Sequence, residues 1–451
     1  MPRLNFRLFA STFVWAWLAC ALALPGLACA QASLAQPMPE APGTVMASTA
    51  AAGAVAGDDW TLARLVDELK KNNPQLRATK GLATAAQYGV APAAAPDNPT
   101  FSVTQSPIPN NPLAIGASQG MTWSLSQNIY WPGKRRLAGE IAQSQADAAK
   151  LQAEALQVQL LGQLKASWFS WQQNEAQLRL LAAQLERLDQ IKRVTQTRYA
   201  NNAAAYADYI NAQINQAQVK TQILGLRAQS KTLLGQINSL IGHPPEAVLG
   251  LRSEDLPSLQ EVPALEQFRQ QALERNLQLK VSRTAIQGAQ RYAELAELGA
   301  RPDFNVALLF NSARPPWGFD STDTYGISLG VTFPLWYNRR ERNLLDLAKA
   351  QLSAVQEADQ SVQQQTLFAV DSAYYQWLQS VEQAKLVEER IVEQSRVAYR
   401  LSLANYGAGQ VGFVDLMNAY TAMNNAEALK VQTKATAIQA RVALDVATGV
   451  Q

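Results

Sequence analysis

Two aspartates, Asp208 and Asp415, occupy equivalent positions in two similar segments of the chain. They lie in RYANNAAAYADYINAQ (198–213) and NYGAGQVGFVDLMNAY (405–420), which align at a shift of about 207 residues. A carboxylate that follows a turn can cap the next helix by accepting backbone N–H groups. Carboxylates repeated around a narrow pore would instead attract cations strongly. The spacing permits both interpretations.

The sequence has no constellation of residues for catalysis. One His and two Cys are too few for a His/Cys metal centre or a disulfide framework. His243 has no second His beside it and precedes Pro244, so we interpret it as a turn residue. Three glycines fit a turn better than a phosphate-binding loop, which needs a preceding strand and a Lys; they are Gly407, Gly409 and Gly412. We therefore predict no enzyme, no cofactor and no metal site.

The first thirty residues, 1–30, have the pattern of a secretory signal peptide. A short basic region precedes an apolar core at 8–24, and small residues precede the expected cleavage site. Cleavage would remove both cysteines, whereas a partial lipobox makes lipid attachment at Cys29 the alternative. Residues 31–57, rich in Ala, Pro and Gly, are predicted to form an unstructured lead.

Charge and hydropathy argue against nucleic-acid binding and against membrane-spanning helices. Charged residues make up 17 % of the 451 residues, below the roughly 25 % of an average soluble domain. The formal net charge is +3, or +1 without the signal peptide, which gives no support for nucleic-acid binding. No stretch after residue 30 contains about 18 consecutive apolar residues, so no membrane-spanning helix is predicted in the mature chain.

The rest of the chain is organised as an internal repeat. TWSLSQNIYWPGKRR (122–136) aligns with SLGVTFPLWYNRRER (328–342) at a shift of about 206 residues, close to the shift of the two aspartate segments. Matching segments in the same order indicate a duplicated unit of about 200 residues. We assign the first repeat to 58–250 and the second to 251–451.

Each repeat contains a predicted β-hairpin, at 99–131 and 302–336. Large apolar and small polar residues alternate there, which is the period of a strand with two unlike faces. A soluble sheet shows the same alternation, but the bulky apolar face and the aromatic residues at each hairpin end favour a bilayer. Basic residues follow each hairpin directly. They are interpreted either as contacts to lipid headgroups or as ordinary solvated side chains. The predicted interface residues are Tyr130, Trp131, Lys134, Arg135, Arg136, Trp336, Tyr337, Arg339 and Arg340.

Long helices are predicted after the hairpins. Residues 137–199 and 343–405 contain no Pro, and about 63 residues of helix extend roughly 95 Å. Return helices are predicted at 206–242 and 413–449. Heptad spacing indicates a coiled coil, with the second long helix placing on one face Trp377, Ala384, Val387, Ile391, Ala398 and Leu401.

Shorter segments complete the predicted rod. Segments 60–91 and 263–299 are predicted as further helices that lead up to the strands. Stacked on a return helix, each gives roughly 70 residues of helix, enough to match the long helix beside it. The Pro-rich segment 243–262 is predicted to cross the rod partway along its length.

Four strands per chain cannot close a sheet in a bilayer, where the smallest barrels need about eight. The chain must therefore oligomerise. A dimer would have a plugged interior, whereas a trimer has twelve strands and room for the wet lumen that the small polar face favours. The predicted fold is mainly α with a small β part, in which long coiled-coil helices continue a twelve-stranded trimeric barrel as an α-helical tunnel.

The duplicated halves and the segments QNIYWPGKRR, TFPLWYNRRER and YGAGQVGFVDLMNA resemble the TolC-like outer membrane factor family over about residues 60–449. The resemblance implies a homotrimer in outer-membrane lipid, with helices projecting into the periplasm. It also implies two partners, a periplasmic adaptor (membrane fusion protein) and an inner-membrane pump of RND type. The strand-to-helix segments lean toward the heavy-metal efflux branch similar to CzcC and CusC, with multidrug efflux or type I protein secretion as alternatives.

The same resemblance gives the helix tips a role as the gate of the tunnel entrance. Asp208 and Asp415 match aspartates that ring the entrance in that family, and Tyr406 matches a tyrosine that ties the closed tips together. Asn418 stands where some members have a second aspartate. Val411 stands where some carry a linking arginine, so we expect that polar tie to be absent here.

A different class of protein also fits the residue pattern. In this alternative the chain is an envelope coiled-coil adaptor or structural protein whose alternating segments form a soluble β-domain. Such a protein would have no pore and would be extracted without detergent or as a lipid-anchored protein. The conduit interpretation instead predicts a heat-sensitive trimer in detergent extracts and single-channel current.

Overall fold

The computed structural model describes residues 60–105, 120–259, 261–312 and 323–450. The predicted signal peptide, the predicted lead at 31–57 and Cys29 lie outside the described residues. Within the described ranges the protein is mainly helical with one small sheet, which confirms the predicted fold class at this level.

Both halves of the chain have the same order of elements. The first half contains α1 (Leu62–Asn72), α2 (Pro74–Ala94), β1 (Thr100–Gln105), β2 (Met121–Ile129), α3 (Lys134–Ala200) and α4 (Tyr206–Ile241). The second contains α5 (Leu265–Arg275), α6 (Leu277–Glu297), β3 (Asp303–Ser312), β4 (Thr324–Thr332), α7 (Glu341–Leu386), α8 (Glu393–Gly407) and α9 (Phe413–Thr448). A π-helical turn, Val387–Val392, joins α7 to α8. At 67 residues, α3 alone extends about 100 Å.

An asparagine divides each helical segment that precedes a hairpin. Asn73 caps α2 by accepting the N–H of Leu76 at 2.8 Å, and its amide donates to the carbonyl of Leu240 near the end of α4 at 2.7 Å. Asn276 caps α6 in the same way and donates to the carbonyl of Ala447 near the end of α9 at 2.9 Å. Each asparagine therefore joins the start of one helix to the end of the return helix of its own half.

The helices form a slab with α3 near its centre. Helix α3 packs against α2, α4, α6 and α9, while α7 packs against α6 and α9. The lateral edges of the slab are therefore α2 with α4 on one side and α7 with α8 on the other. The segment between α4 and α5 crosses α3 at the buried Gln172, whose amide donates to the carbonyl of Arg252 and accepts the N–H of Glu254, both at 2.9 Å.

The π-helical turn shifts the buried face of the second long helix by one residue. Trp377, Ala384 and Val387 are buried, as the heptad spacing predicts. Beyond the turn that prediction is wrong, because Ile391, Ala398 and Leu401 are exposed. A π turn adds one residue to the helical repeat, so the next buried positions follow Val387 at a spacing of five and then seven; they are Val392, Tyr399 and Tyr406.

The four strands form one antiparallel sheet in the order β1-β2-β3-β4. The register places Leu125 opposite Phe101 on one side and Leu308 on the other. Trp123 lies opposite Phe310, with ring centroids 5.1 Å apart. Among the described residues, β1 and β4 have no strand on their outer sides, so both edges of the sheet are open.

Candidate functional site

The turn between α3 and α4 contacts the end of α8 at one end of the slab. Tyr406, only 2 % exposed, lies at the end of α8, and its ring is 6.0 Å from that of Phe413 at the start of α9. The guanidinium of Arg198, in the last turn of α3, lies 4.5 Å above the Tyr406 ring. Burial raises the pKa of the Tyr406 hydroxyl, with a smaller contribution from the negative charge of Asp208.

Arg198 is the residue that joins the two tips. It donates hydrogen bonds to the carbonyl of Tyr406 in the second half and, at 2.9 Å, to the carbonyl of Ala203 in the first. Sequence reasoning missed it, because the repeat aligns Arg198 with Asn405, which does not carry a charge. The one available signal was a basic residue in the last turn of a long helix. A cation there is equally explained by its favourable interaction with the helix dipole.

The aspartates occupy the same position at the starts of the two return helices. Asp208 is half-buried at the third residue of α4, and Asp415 is exposed at the third residue of α9. The carboxylate of Asp415 accepts the N–H of Gly412 at 3.3 Å, so it caps its own helix. The helix N-terminus also stabilises both negative charges. The capping interpretation therefore holds for Asp415. Its exposed carboxylate also presents a negative charge to solvent.

The remaining predicted tip residues lie around the second turn. Asn418 is exposed one turn after Asp415. Gly407 is the last residue of α8 and Gly412 precedes the first residue of α9. Gly409 has a φ of +78°, a left-handed conformation that other residues rarely adopt. The structure thus brings Tyr406 to Arg198 and leaves Asp415 and Asn418 facing solvent.

A buried carboxylate joins three helices below the tips. Glu427 of α9, 4 % exposed, forms salt bridges with Arg187 of α3 at 2.9 Å and with Arg396 of α8 at 3.1 Å. Arg187 also donates to the amide oxygen of Asn424 at 2.9 Å. Nearby, burial raises the pKa of Tyr420 to about 12, so this tyrosine stays neutral at physiological pH. The two halves are therefore tied together at the tips, in a tip cluster of Arg198 and Tyr406, and again below them through Glu427.

Replacing Arg198 by Ala is expected to weaken the contact between the two tips by about 2 kcal/mol, because hydrogen bonds to charged groups contribute about 1.5–3 kcal/mol. Amide hydrogen exchange, followed by mass spectrometry of the purified protein in detergent, should become faster at 198–206 and 403–413. Arg193→Ala is the matched control, since Arg193 forms its salt bridge with Asp189 in the same helix. Equal exchange in the two variants would contradict the assigned role of Arg198.

The sheet has one apolar face and one polar face. The register assigns the apolar face to Phe101, Val103, Trp123, Leu125, Ile129, Phe304, Val306, Leu308, Phe310, Tyr325, Ile327, Leu329 and Val331. The opposite face is lined mainly by polar or small residues, with Leu309 as the exception. On this face Thr122 donates to Asn311 at 2.6 Å and Asn305 donates to Asn128 at 2.7 Å. Most of the apolar face is exposed in the single chain, which a soluble domain rarely tolerates over so large an area.

The predicted interface residues differ between the two halves. In the first half Lys134 forms a salt bridge with Asp303 at 2.9 Å, and the same carboxylate accepts the N–H of Trp131 at 2.8 Å. Arg136 pairs with Glu140. Tyr130 donates to Asp97 at 2.7 Å, while Arg135 is half-buried. In the second half every predicted interface residue is exposed; they are Trp336, Tyr337, Arg339 and Arg340.

The family model for outer membrane efflux proteins matches residues 65–243 and 268–450, which is most of both repeats. The chain belongs to the outer membrane efflux protein family. It is an outer-membrane channel component of an efflux system, with helices in the periplasm, and it is not an enzyme. Among the described helices, none combines the length and apolar character needed to cross a membrane.

The chain is similar in sequence to one curated efflux protein and in fold to solved outer-membrane channels. The pyoverdine export outer membrane protein OpmQ of Pseudomonas putida is 22 % identical over 354 residues, which cover 75 % of this chain and 73 % of OpmQ. The solved structure of the outer-membrane channel OprN superposes with a TM-score of 0.75 at 18 % identity and covers 86 % of this chain and 90 % of OprN. That of CusC gives 0.73 at 16 % identity, with 87 % and 93 % covered. The efflux protein described here therefore has the TolC-like fold that its sequence predicts.

Proposed function

We propose that three copies of this efflux protein join edge to edge into a passive export duct. The observation that carries the proposal is the open sheet, whose two edge strands have free backbone groups and whose apolar face is exposed. Unpaired backbone groups are costly in a bilayer, where no water satisfies them. Pairing β1 of one copy with β4 of the next removes every free edge.

The helical edges support the same arrangement. Large apolar side chains are exposed on both, on the first edge at Leu82, Tyr88 and Leu224, and on the second at Leu344, Phe368, Tyr375 and Leu386. Because the two edges belong to different helices, their contact is heterologous, and repeated heterologous contacts close into a ring when the rotation between copies closes. Three copies give twelve strands, enough to enclose a lumen lined by the polar face.

Size and conductance of the purified protein test this proposal. Light scattering in detergent should give the mass of three chains, the band on a denaturing gel should shift on heating, and the reconstituted protein should conduct ions. A folded, water-soluble monomer without conductance would overturn the proposal and favour the envelope adaptor or structural protein.

We propose that Asp208 and Asp415 form the cation-attracting gate of this duct, with Tyr406 and Asn418 beside them. In a trimer each aspartate occurs three times around the axis, and a ring of carboxylates concentrates cations. Asp415 is exposed at a tip, which supports this placement. The tie between Arg198 and Tyr406 holds the neighbouring turn in place.

Asp415→Asn and Asp415→Ala together separate charge from capping. Asn keeps an acceptor for the N–H of Gly412 but removes the charge, so both variants should raise the Mg²⁺ concentration that blocks the channel by at least about tenfold. Block is measured by single-channel recording. A defect that appears in the Ala variant alone would assign Asp415 to helix capping.

The proposed partners are those that the family resemblance implies, and the proposed cargo is that of one branch of the family. We propose that the duct docks with a periplasmic adaptor and an RND-type inner-membrane pump, and that heavy-metal cations are its cargo. The resemblance of the strand-to-helix segments supports that cargo, while OpmQ is named for pyoverdine export and represents the competing possibility. Deleting the gene should sensitise cells to metal salts; normal metal resistance with impaired siderophore release would replace metal cations by siderophores.

A further inference from the structure

The salt bridge between Lys134 and Asp303 lies where the end of β2 meets the start of β3. Lys134 also donates to the carbonyl of Arg301 at 3.1 Å, and its side chain is only 15 % exposed. This contact therefore fastens the first repeat to the second at the level where strands give way to helices. We call it the internal junction.

The repeat specifies which residues occupy the same junction between two copies. PGKRR (132–136) aligns with NRRER (338–342), which places Arg340 at the position of Lys134. NPTFSV (98–103) aligns with RPDFNV (301–306) at the shift of 203 that also relates Asn73 to Asn276, which places Thr100 at the position of Asp303. In the proposed trimer the end of β4 meets the start of β1 of the next copy. Arg340 would face a threonine there, not a carboxylate.

Within the described part of a single chain, the cations at this junction between copies, which we call the outer junction, have no salt-bridge partner. Among the described residues, Arg339, Arg340 and Arg342 form no salt bridge, and all three are exposed. Glu341 lies among them and leaves two net positive charges. Asp97 is the carboxylate nearest in sequence to the start of β1. It already accepts a hydrogen bond from the hydroxyl of Tyr130 in its own chain.

Apolar and aromatic side chains border these arginines on the strand side. Leu335 is 82 % exposed, and Phe333 and Trp336 are exposed as well. Guanidinium groups bind phosphate through two parallel hydrogen bonds, and an adjoining apolar surface accepts acyl chains. An amphiphile with a phosphate head satisfies both halves of this surface, whereas inorganic phosphate satisfies only one.

We propose that a phosphate-bearing anionic lipid binds Arg339, Arg340 and Arg342 at the junction between neighbouring copies, in place of the carboxylate that Asp303 supplies at the internal junction. The proposal rests on the proposed trimer. It assigns a lipid class to the junction between the second repeat of one copy and the first repeat of the next. The site occurs three times per ring. Lys134 does not contribute, because Asp303 already neutralises it.

Native mass spectrometry of the detergent-purified trimer, titrated with dioleoyl phosphatidylglycerol or with dioleoyl phosphatidylcholine, tests the site. Each cation near an anionic lipid strengthens binding about fivefold, so Arg340→Gln should weaken phosphatidylglycerol binding about fivefold and the triple Gln variant of Arg339, Arg340 and Arg342 far more. Arg291→Gln is the control, because Arg291 is already paired with Glu140 and Glu294. It should bind phosphatidylglycerol like the unmodified chain.

Thr100→Asp provides a test by gain of function. It supplies the missing carboxylate to Arg340 of the next copy, so it should lower phosphatidylglycerol binding and raise the temperature at which the trimer dissociates. Unchanged lipid binding in the triple variant, equal weakening by Arg291→Gln, or displacement of the lipid by inorganic phosphate would each overturn the lipid site. Failure of the unmodified protein to form a trimer would instead overturn the proposed duct.

Discussion

Replacing Leu329 by Arg is expected to abolish the assembled channel, whereas Ser328→Arg is expected to leave it assembled. Leu329 is 74 % exposed on the apolar face of β4, and Ser328 is its neighbour on the polar face. An Arg on the lipid face of a membrane strand costs about 2–4 kcal/mol near the bilayer midplane. Three copies multiply this cost to about 6–12 kcal/mol per ring, comparable to the whole stability of many proteins.

The two variants place the same Arg at neighbouring positions of a single strand, so the added side chain and its charge are matched. Outer-membrane fractions are compared for the amount of protein and for its heat-sensitive oligomer band on gels. Leu329→Arg should be absent or degraded, while Ser328→Arg should retain the oligomer and change only the ion selectivity of the pore. Equal assembly of both variants would show that this face of the sheet does not contact lipid.

The two faces of the sheet could be predicted from the sequence because a strand has a period of exactly two residues. Ile327, Leu329 and Val331 alternate with small residues, and no distant contact is needed to place them on one face. In the register of the sheet, the large apolar residues of β1, β2 and β3 lie opposite one another and opposite those of β4. The amphipathic sheet is therefore specified locally.

The buried face of the second long helix could be predicted only as far as Val387. The segment VEERIV contains no Pro or Gly to mark a change, yet it forms the π turn that moves Val392 and Tyr399 to the buried face. A single added residue alters the repeat without altering composition. The π turn packs against α9, a contact that the local sequence does not contain.

In the tip cluster, the internal repeat predicts some of the residues and not others. Aligning the halves places Asp208 on Asp415 and draws attention to Tyr406. It also hides Arg198, because a residue that joins the two halves need not occur in both. Contacts between repeats follow from their packing in three dimensions, so a residue unique to one repeat, such as Arg198, is not found by aligning the halves.

The breaks between α1 and α2 and between α5 and α6 involve contacts with residues far along the chain. Asn73 precedes Pro74, a pair that marks a helix start, but Asn276 precedes Leu277 and carries no such signal. Both breaks are fixed by hydrogen bonds to carbonyls about 170 residues away, at Leu240 and Ala447. The end of the return helix therefore determines where the preceding segment must divide.

Gly242→Ala is expected to destabilise the protein by about 3 kcal/mol, because Gly242 closes this contact at the end of α4. Its φ of +80° lies in the left-handed region, where a side chain costs about 1–2 kcal/mol. A Cβ there would also lie 2.6 Å from the carbonyl oxygen of Asn72, and such overpacking typically costs about 1–3 kcal/mol. Backbone atoms cannot move aside as a flexible side chain can, so α1 and α4 would have to separate.

Gly225→Ala in the same helix supplies a control with the opposite sign. Gly225 lies within α4, and in the single chain a Cβ there meets no atom of another element within 4 Å. Ala at such a position stabilises by about 0.4–1 kcal/mol because it restricts the unfolded chain. Thermal unfolding in detergent should therefore shift down for Gly242→Ala and up for Gly225→Ala. Shifts of the same sign would mean that helix propensity alone, and not the contact with Asn72, determines the response of α4 to a methyl group.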